Sequence, residues 1–440
     1  MCLCAFATLC QILYESVVCP SCGCLCDDID IVVEENRVKS IRNVCEWGIS
    51  KFLFTKKFTS NVKRGRVEKP MIREKTLIKT NYETAISRAV DILKGSKKPL
   101  IYGLTNSGYN AQKIALNIAR RLKGLFEPRG AALLSSYYAA MGDSNFYVAP
   151  LEEIRNNADL IIYWGCNPIH STPRHLARYS VYPRGRCKER GSQDRVVFTV
   201  DVAENEMGKL SRRFLQVERG TDFMVMETMV KLLKGETVED YKGDIATIEN
   251  MVRQMTKVSY GAIFFGLGLS AKDNAKRNVE NLMALVKELN SKARFVILPL
   301  YDDFNTSGVI QLLIRELKSP MPADFSGDHG AKNSKYSLLE NLHEVDAALV
   351  VGDDPFWSLS SEKSDLLKEI PMVLIDPYWT RTTNKAKVVF PTAVTGIEAE
   401  GVAYRMDGLP LKLKKVMESE YPSDESILGD IYQRLYKEVP

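Results

Sequence analysis

The chain has few histidines, four in 440 residues, and no Gly-x4-Gly-Lys-Ser/Thr loop, which counts against phosphate-loop NTP hydrolysis. Net charge is only +5, and the lysines and arginines are spread along the chain, so nothing points to nucleic acid or a membrane surface as partner. Internal repeats and low-complexity tracts are missing. The apolar opening, MCLCAFATLCQILYESVV, lacks a basic n-region and is broken by Gln11 and Glu15. It therefore reads as neither a signal peptide nor a membrane span; an N-terminal β-segment or a misplaced start fits better. No later stretch is long and apolar enough to cross a bilayer, so a soluble, cytoplasmic protein is expected. Cysteine is absent from residues 46 to 165, an absence that matters below.

Eight of the ten cysteines lie before residue 50 (Cys2, Cys4, Cys10, Cys19, Cys22, Cys24, Cys26, Cys45). A disulfide scaffold is short, secreted and evenly laced; thiols crowded at one end of a long chain point to metal binding in a reducing compartment. Hydrophobic residues make up 45% and charged residues 26%, and the length is too great for one ordinary core.

From residue 95 onward, β-branched apolar runs alternate with helical patterns. The spacing predicts strands at 99–104, 159–165, 195–201, 261–268, 294–300, 347–353, 372–376 and 387–391, and helices at 109–124, 222–234, 274–290 and 425–437. Continuous apolar strands followed by amphipathic helices mean parallel sheets covered on both faces. The expected fold is α/β: an N-terminal iron–sulfur domain followed by two Rossmann-like, doubly wound parallel-sheet lobes. The domains are placed at 1–72 (cluster domain, completed by 393–440), 73–130 with 259–392 (first lobe) and 131–258 (second lobe). Residues 58–80 read as a connection between lobes, and 318–337 as a long polar loop.

Cys19, Cys22 and Cys26 form Cys-x2-Cys-x3-Cys, and Cys45 follows Cys26 after eighteen residues. Three thiolates on a tight turn can hold three corners of a cluster, with Gly23 letting the backbone bend. The hairpin-like IDIVVEENRVKSIRN would return Cys45 to the loop. Four thiolates suit [4Fe–4S] or Zn2+, and the missing second Cys-x2-Cys knuckle favours iron–sulfur. Cys24 is an extra thiol inside the loop, and Cys2, Cys4 and Cys10 show no fourth partner at metal spacing.

Together, CPSCGCLCDD, NVCEWGISKF, YWGCNPIHSTPRH and DPYWTRTTNKAKVVFPTAVTGIEAEGVAYRMDGLPL resemble the B-type subunit of formylmethanofuran dehydrogenase, in the molybdopterin oxidoreductase superfamily. The resemblance runs in order from about residue 17 to the C-terminus. It implies a molybdopterin guanine dinucleotide with tungsten or molybdenum, beside a [4Fe–4S] cluster, for CO2/formate chemistry. It also implies an obligate complex with a small barrel subunit, an amidohydrolase-type subunit and ferredoxin-like electron carriers. An apolar exposed face for such a partner is expected.

Several residues then become candidates. Gly165, Asn167 and Pro168 follow a strand where doubly wound sheets bind nucleotides, and the resemblance makes that turn a pterin contact; a plain strand-ending turn is the alternative. Cys166 reads as a buried structural thiol. Asp201 ends the next strand, where a Rossmann acid accepts ribose or guanine hydrogen bonds. Gly266 and Gly268 form a second strand-end turn suited to a pyrophosphate. Asp376 and Thr380 follow another strand, and the threonines there could bind phosphate or cap a helix. Glu400 and Arg405 match the family's segment near the cofactor, or form a surface ion-pair cluster. Lys51 matches a position between cluster and pterin, and Arg174 can face an anionic cofactor. His170 and His175, five apart, do not share a helical face and make a poor zinc pair.

The resemblance breaks at the chemistry. The family's metal-ligand Cys-His positions fall on Leu133 and Leu134, with Ser135 and Ser136 the nearest oxygen ligands. Its active-site Arg and His positions carry Tyr301 and Asp303, and a site without that cation stabilises an anion poorly. Two functions follow: a catalytic subunit with altered ligation, or a non-catalytic electron-relay or scaffold subunit.

Overall fold

The computed structural model describes residues 11–53, 65–130, 137, 147–238, 241–270, 274–327, 331–333 and 337–437. Leu133, Leu134, Ser135, Ser136, His329, Cys2, Cys4 and Cys10 lie outside them.

Three antiparallel strands come first: β1 (Gln11–Val17), β2 (Ile29–Glu34) and β3 (Arg37–Arg42). Glu35 and Asn36 both take positive φ (49° and 56°), the tight turn whose twist matches a hairpin. Along β2, Ile29, Ile31 and Val33 alternate inward, so one face of this sheet is buried. Helix α1 (Glu46–Leu53) follows.

The largest sheet has nine strands. Its parallel centre is β7 (Leu125–Pro128), β6 (Pro99–Gly103), β15 (Ala347–Val351), β16 (Met372–Ile375) and β17 (Val388–Phe390), in that order. Every residue of β6 and β15 is buried, the pattern of strands covered on both faces by helices such as α2 (Tyr82–Lys94) and α3 (Tyr109–Arg121). Antiparallel additions finish both edges: β4 (Met71–Arg73) with β5 (Leu77–Lys79), and β13 (Ala323–Asp324) with β14 (Lys332–Asn333). Parts of 58–80 and 318–337 are thus edge strands rather than plain connection and loop.

The second sheet is wholly parallel: β10 (Arg213–Gln216), β9 (Val196–Asp201), β8 (Leu160–Trp164), β11 (Tyr260–Phe265) and β12 (Arg294–Pro299). This corrects the expected division of the chain. Residues 259–299 do not join 73–130, because the buried run Tyr260–Phe265 pairs in register with Leu160–Trp164 on one side and Arg294–Pro299 on the other. The chain returns to the nine-stranded sheet only after β12. A hairpin, β18 (Gly401–Tyr404) and β19 (Pro410–Leu413), packs near the cysteine loop, where Met406 N–H donates to Gly23 O (2.9 Å). The final helix, Asp424–Lys437, instead buries Ile427, Leu428, Ile431 and Leu435 in the core that holds α2 and α3. No helix among the described residues is long and apolar enough to cross a membrane.

Candidate cofactor site

The end of β1, the start of β2 and the end of β3 lie at one edge of the small sheet. Cys19, Cys22 and Cys26 occupy the β1–β2 loop, and Cys45 follows β3, so the hairpin brings the fourth cysteine to the other three. The loop is closed by Cys19 N–H to Cys26 O (2.8 Å) and Leu25 N–H to Cys22 O (3.1 Å). Glycine is required at 23, since a Cβ there would stand 2.7 Å from the Tyr301 ring. All four cysteines border one small cavity, with Arg174 at its rim.

Burial, then the neighbouring charges of Cys26, Cys22 and Cys45, pushes the Cys19 thiol up; burial pushes Cys26 to about 12. Four thiolates sharing a cavity need a cationic centre to offset this, and thiolate ligation of that kind is what iron–sulfur or zinc chemistry uses. The thiols border a space rather than a point: among the described residues, no group of three or more His, Cys, Asp or Glu is placed to hold a metal ion. Cys24, the spare thiol, is buried with its Sγ 3.9 Å from His175 Nδ1.

Arg174 lies beside the cysteines rather than in either crevice. Its guanidinium makes a bidentate pair with Asp28 (2.6 and 2.7 Å), so it braces the cysteine loop instead of a nucleotide. Arg178 joins the same group through Asp27 and Asp28. The two histidines part company: exposed His170 meets Glu206 (3.3 Å), whereas His175 is fully buried, its ring edge-on to Phe264.

Lys51, on α1, lines a crevice of about 250 Å3 beyond the carboxyl ends of β6, β15 and β16. Burial lowers its pKa, and Asp376, Cys19 and Asp303 oppose that shift, so the ammonium stands near both sites. From β6 the chain crosses to β7 on one side, and β15 to β17 lie on the other. The crevice is therefore a topological switch point, where open α/β sheets bind ligands. Asp376 and Thr380 line it. Burial pushes Asp376 up to about 7, although its Oδ1 accepts Tyr378 N–H (2.7 Å). Thr380 exchanges hydrogen bonds with Thr383, just before a short 3-10 turn whose N-cap is Arg381.

A second switch point lies between β8 and β11, and the two glycine turns meet there. Gly268 N–H donates to Gly165 O (3.1 Å), and Gly266 N–H to Trp164 O (3.0 Å). A Cβ on Gly268 would approach Gly165 Cα to 2.8 Å, and Gly165 itself has φ 59°. Asn167 caps the short helix that Pro168 opens and also donates to Glu206 (2.9 Å). Asp201 accepts from Asn205 (3.0 Å) and Val202 N–H (2.7 Å), so its oxygens organise the β9 turn. Burial raises the Cys166 thiol, which sits between the turns.

Glu400 is exposed and does not line the first crevice. Arg405 is a further correction: it is fully buried and paired with Glu152 (2.7 and 2.6 Å) and Asp407 (2.9 and 2.6 Å), tying the C-terminal hairpin to the five-stranded lobe. Residues not singled out from sequence also line the crevice, among them Arg129, Asp353, Asn106 and Trp357. Position gave a signal only for Asp353, which ends a predicted strand; Arg129 follows β7, a four-residue strand that no sequence pattern announced.

The chain matches the family described as Molybdopterin oxidoreductase over residues 66–434. It is 34% identical over 438 residues to the B-type subunit of the tungsten-containing formylmethanofuran dehydrogenase 2 of Methanocaldococcus jannaschii, covering 97% of this chain and 98% of that one. The protein of the same description from Methanococcus maripaludis is 32% identical, with 97% and 99% covered. Among solved structures, acetylene hydratase from Pelobacter acetylenicus aligns with a TM-score of 0.70 at 12% identity, over 96% of this chain and 69% of that one. A chain of the formyltransferase/hydrolase complex from Methylorubrum extorquens, solved with methylofuran, aligns at 0.67 and 19% identity, over 83% and 98%. These two likenesses bear on fold alone.

Proposed function

Because the chain belongs to the molybdopterin oxidoreductase family, as a relative of the B-type subunit of formylmethanofuran dehydrogenase, we propose that it fills the same place in a formylmethanofuran dehydrogenase-like complex. In this reading Cys19, Cys22, Cys26 and Cys45 hold a [4Fe–4S] cluster, and the two crevices hold a tungsten or molybdenum bis-pterin guanine dinucleotide. The observation that carries it is the succession of four thiols around one cavity, then Lys51, then the crevice.

The donor set fits such a group. Lys51 supplies positive charge for phosphates, Thr380 a hydroxyl, and Gly165, Gly266 and Gly268 a turn that backbone or ligand can approach closely. The bound pterin metal would supply two-electron exchange between CO2 and formate. Lys51 would stabilise negative charge passing between crevice and cluster. A small barrel subunit, an amidohydrolase-type subunit and ferredoxin-like carriers would complete the assembly in the cytoplasm.

A second reading rests on particular residues: Leu133 and Leu134 where the family has its metal-ligand Cys-His, Tyr301 where it has Arg, and no cysteine from 46 to 165. It makes the chain a non-catalytic electron-relay or scaffold subunit, as in formyltransferase/hydrolase complexes. Elemental analysis of the purified complex separates the two. Near-stoichiometric tungsten or molybdenum with iron supports the catalytic subunit; iron alone supports the relay; zinc alone sinks both.

A further inference from the structure

Arg129 stands at the end of β7 and lines the first crevice. Two carboxylates from different parts of the chain pair with two different nitrogens of its guanidinium. Asp303, from the segment after β12, lies 3.0 Å from Nη1, and Asp353, following β15, lies 3.7 Å from Nε. The grip is uneven in exposure. The Asp353 side chain is only 2% exposed and its Oδ2 accepts no hydrogen bond, whereas the Arg129 side chain remains 34% exposed in the concavity. No ion pair among the described residues engages Nη2.

An arginine held only to staple two lobes would bury its charge with its partners. Here Asp353 is buried and Asp303 half-buried, while the cation keeps more exposure than either. The other carboxylates of the crevice are taken up by hydrogen bonds within the protein. Asp354 accepts from Thr382 (3.1 and 2.7 Å) and Arg381 N–H (2.9 Å), Asp376 from Tyr378 N–H, and Asp424 from Glu425 N–H (2.8 Å). Lys51 and Arg129 are thus the charges left to meet a ligand. With Nη2 outside both pairs, the fixed guanidinium still has N–H donors to offer a ligand oxyanion.

We propose that Arg129 binds an oxyanion, with Asp303 and Asp353 as positioning residues. The oxyanion is a phosphate of a nucleotide-bearing cofactor or the carboxylate of a small acid. The assignment rests on the crevice named in the functional reading, and it adds a binding residue that the motifs of the chain do not contain.

The test uses the purified complex and arginine modification by phenylglyoxal, read at Arg129 by peptide mass spectrometry, with guanine nucleotide released by acid counted per iron. If the oxyanion is the cofactor's phosphate, Arg129→Ala retains about a tenth or less of the wild-type nucleotide, and Arg129→Lys an intermediate amount, because a point charge replaces a planar donor group. If it is a carboxylate, nucleotide content is unchanged and formate slows modification of wild-type Arg129 at least about threefold. Asp303→Asn should weaken the protection that inorganic pyrophosphate or formate gives, at unchanged iron content, and Asp303→Glu should restore part of it. Wild-type nucleotide content in Arg129→Ala, with neither formate nor pyrophosphate slowing modification of the wild type, overturns the assignment. Wild-type complex lacking guanine nucleotide, tungsten and molybdenum, in which pyrophosphate still protects Arg129, sinks the functional reading and upholds this one.

Discussion

Arg405 and His175 illustrate how differently buried polar side chains are held in this chain. Arg405 and Asp407 both have fully buried side chains and pair at 2.6 Å. Removing the arginine would strand a buried carboxylate, and breaking such a pair costs about 3–5 kcal/mol. Arg405→Leu should therefore lower the unfolding midpoint strongly in a urea titration, and Arg405→Leu with Asp407→Leu should recover much of the loss. Among the described residues no carboxylate supports a charge on His175, and burial depresses its pKa to about 3. A histidine kept neutral by the fold contributes stability above its ordinary value of 6.5, and that contribution is lost as pH falls from there toward about 3, because the unfolded chain takes up the proton first. Stability measured from about pH 7.5 to about pH 5 should fall less steeply in His175→Phe than in the parent. An equal slope would contradict this. At this scale the cysteines were legible, because thiol spacing carries its own chemistry. Arg129 was not: a lone arginine after a strand looks like any solvated charge until Asp303, 174 residues away, is seen beside it.

Among elements, the apolar runs predicted eight strands, and all eight are present as β6, β8, β9, β11, β12, β15, β16 and β17. Runs such as Leu160–Trp164 are buried on both faces, so their composition is as good as a label. The three-residue strands β4 and β5 were illegible, since they are too short to show a period and gain their pairing only at the sheet edge. Helix bounds were close for the same reason that strands were: Asp222–Lys234 coincides with its pattern and ends on Gly235 in the left-handed conformation. The glycine turns at the β8–β11 switch point depend on two backbones in contact. Gly268→Val would drive them apart, and overpacking of this kind costs about 1–3 kcal/mol. A lowered melting temperature together with reduced guanine nucleotide content is expected, whereas a variant melting like the parent would show that the contact is not needed.

For the whole molecule, the class was legible but the partition was not. Which sheet a strand joins is decided by non-local pairing, and nothing within Tyr260–Phe265 distinguishes the neighbour Leu160 from a neighbour in the other lobe. The consequence is functional. With β11 and β12 in the five-stranded sheet, the segment after β12 carries Tyr301 onto the cysteine loop and Asp303 onto Arg129, so both lobes border the region between cluster cavity and crevice. Exposed Ile12 and Leu13 on β1, with Ile49 and Leu53 on α1, leave apolar surface on the cysteine-bearing part of the chain. The account as a whole depends on the group that four thiols hold. Iron per chain and the low-temperature EPR spectrum of anaerobically purified, reduced protein test it most directly. About four irons per chain and a reduced-cluster signal, both lost or degraded in Cys22→Ala, are predicted. Zinc in place of iron, or a full cluster signal in Cys22→Ala, would contradict it.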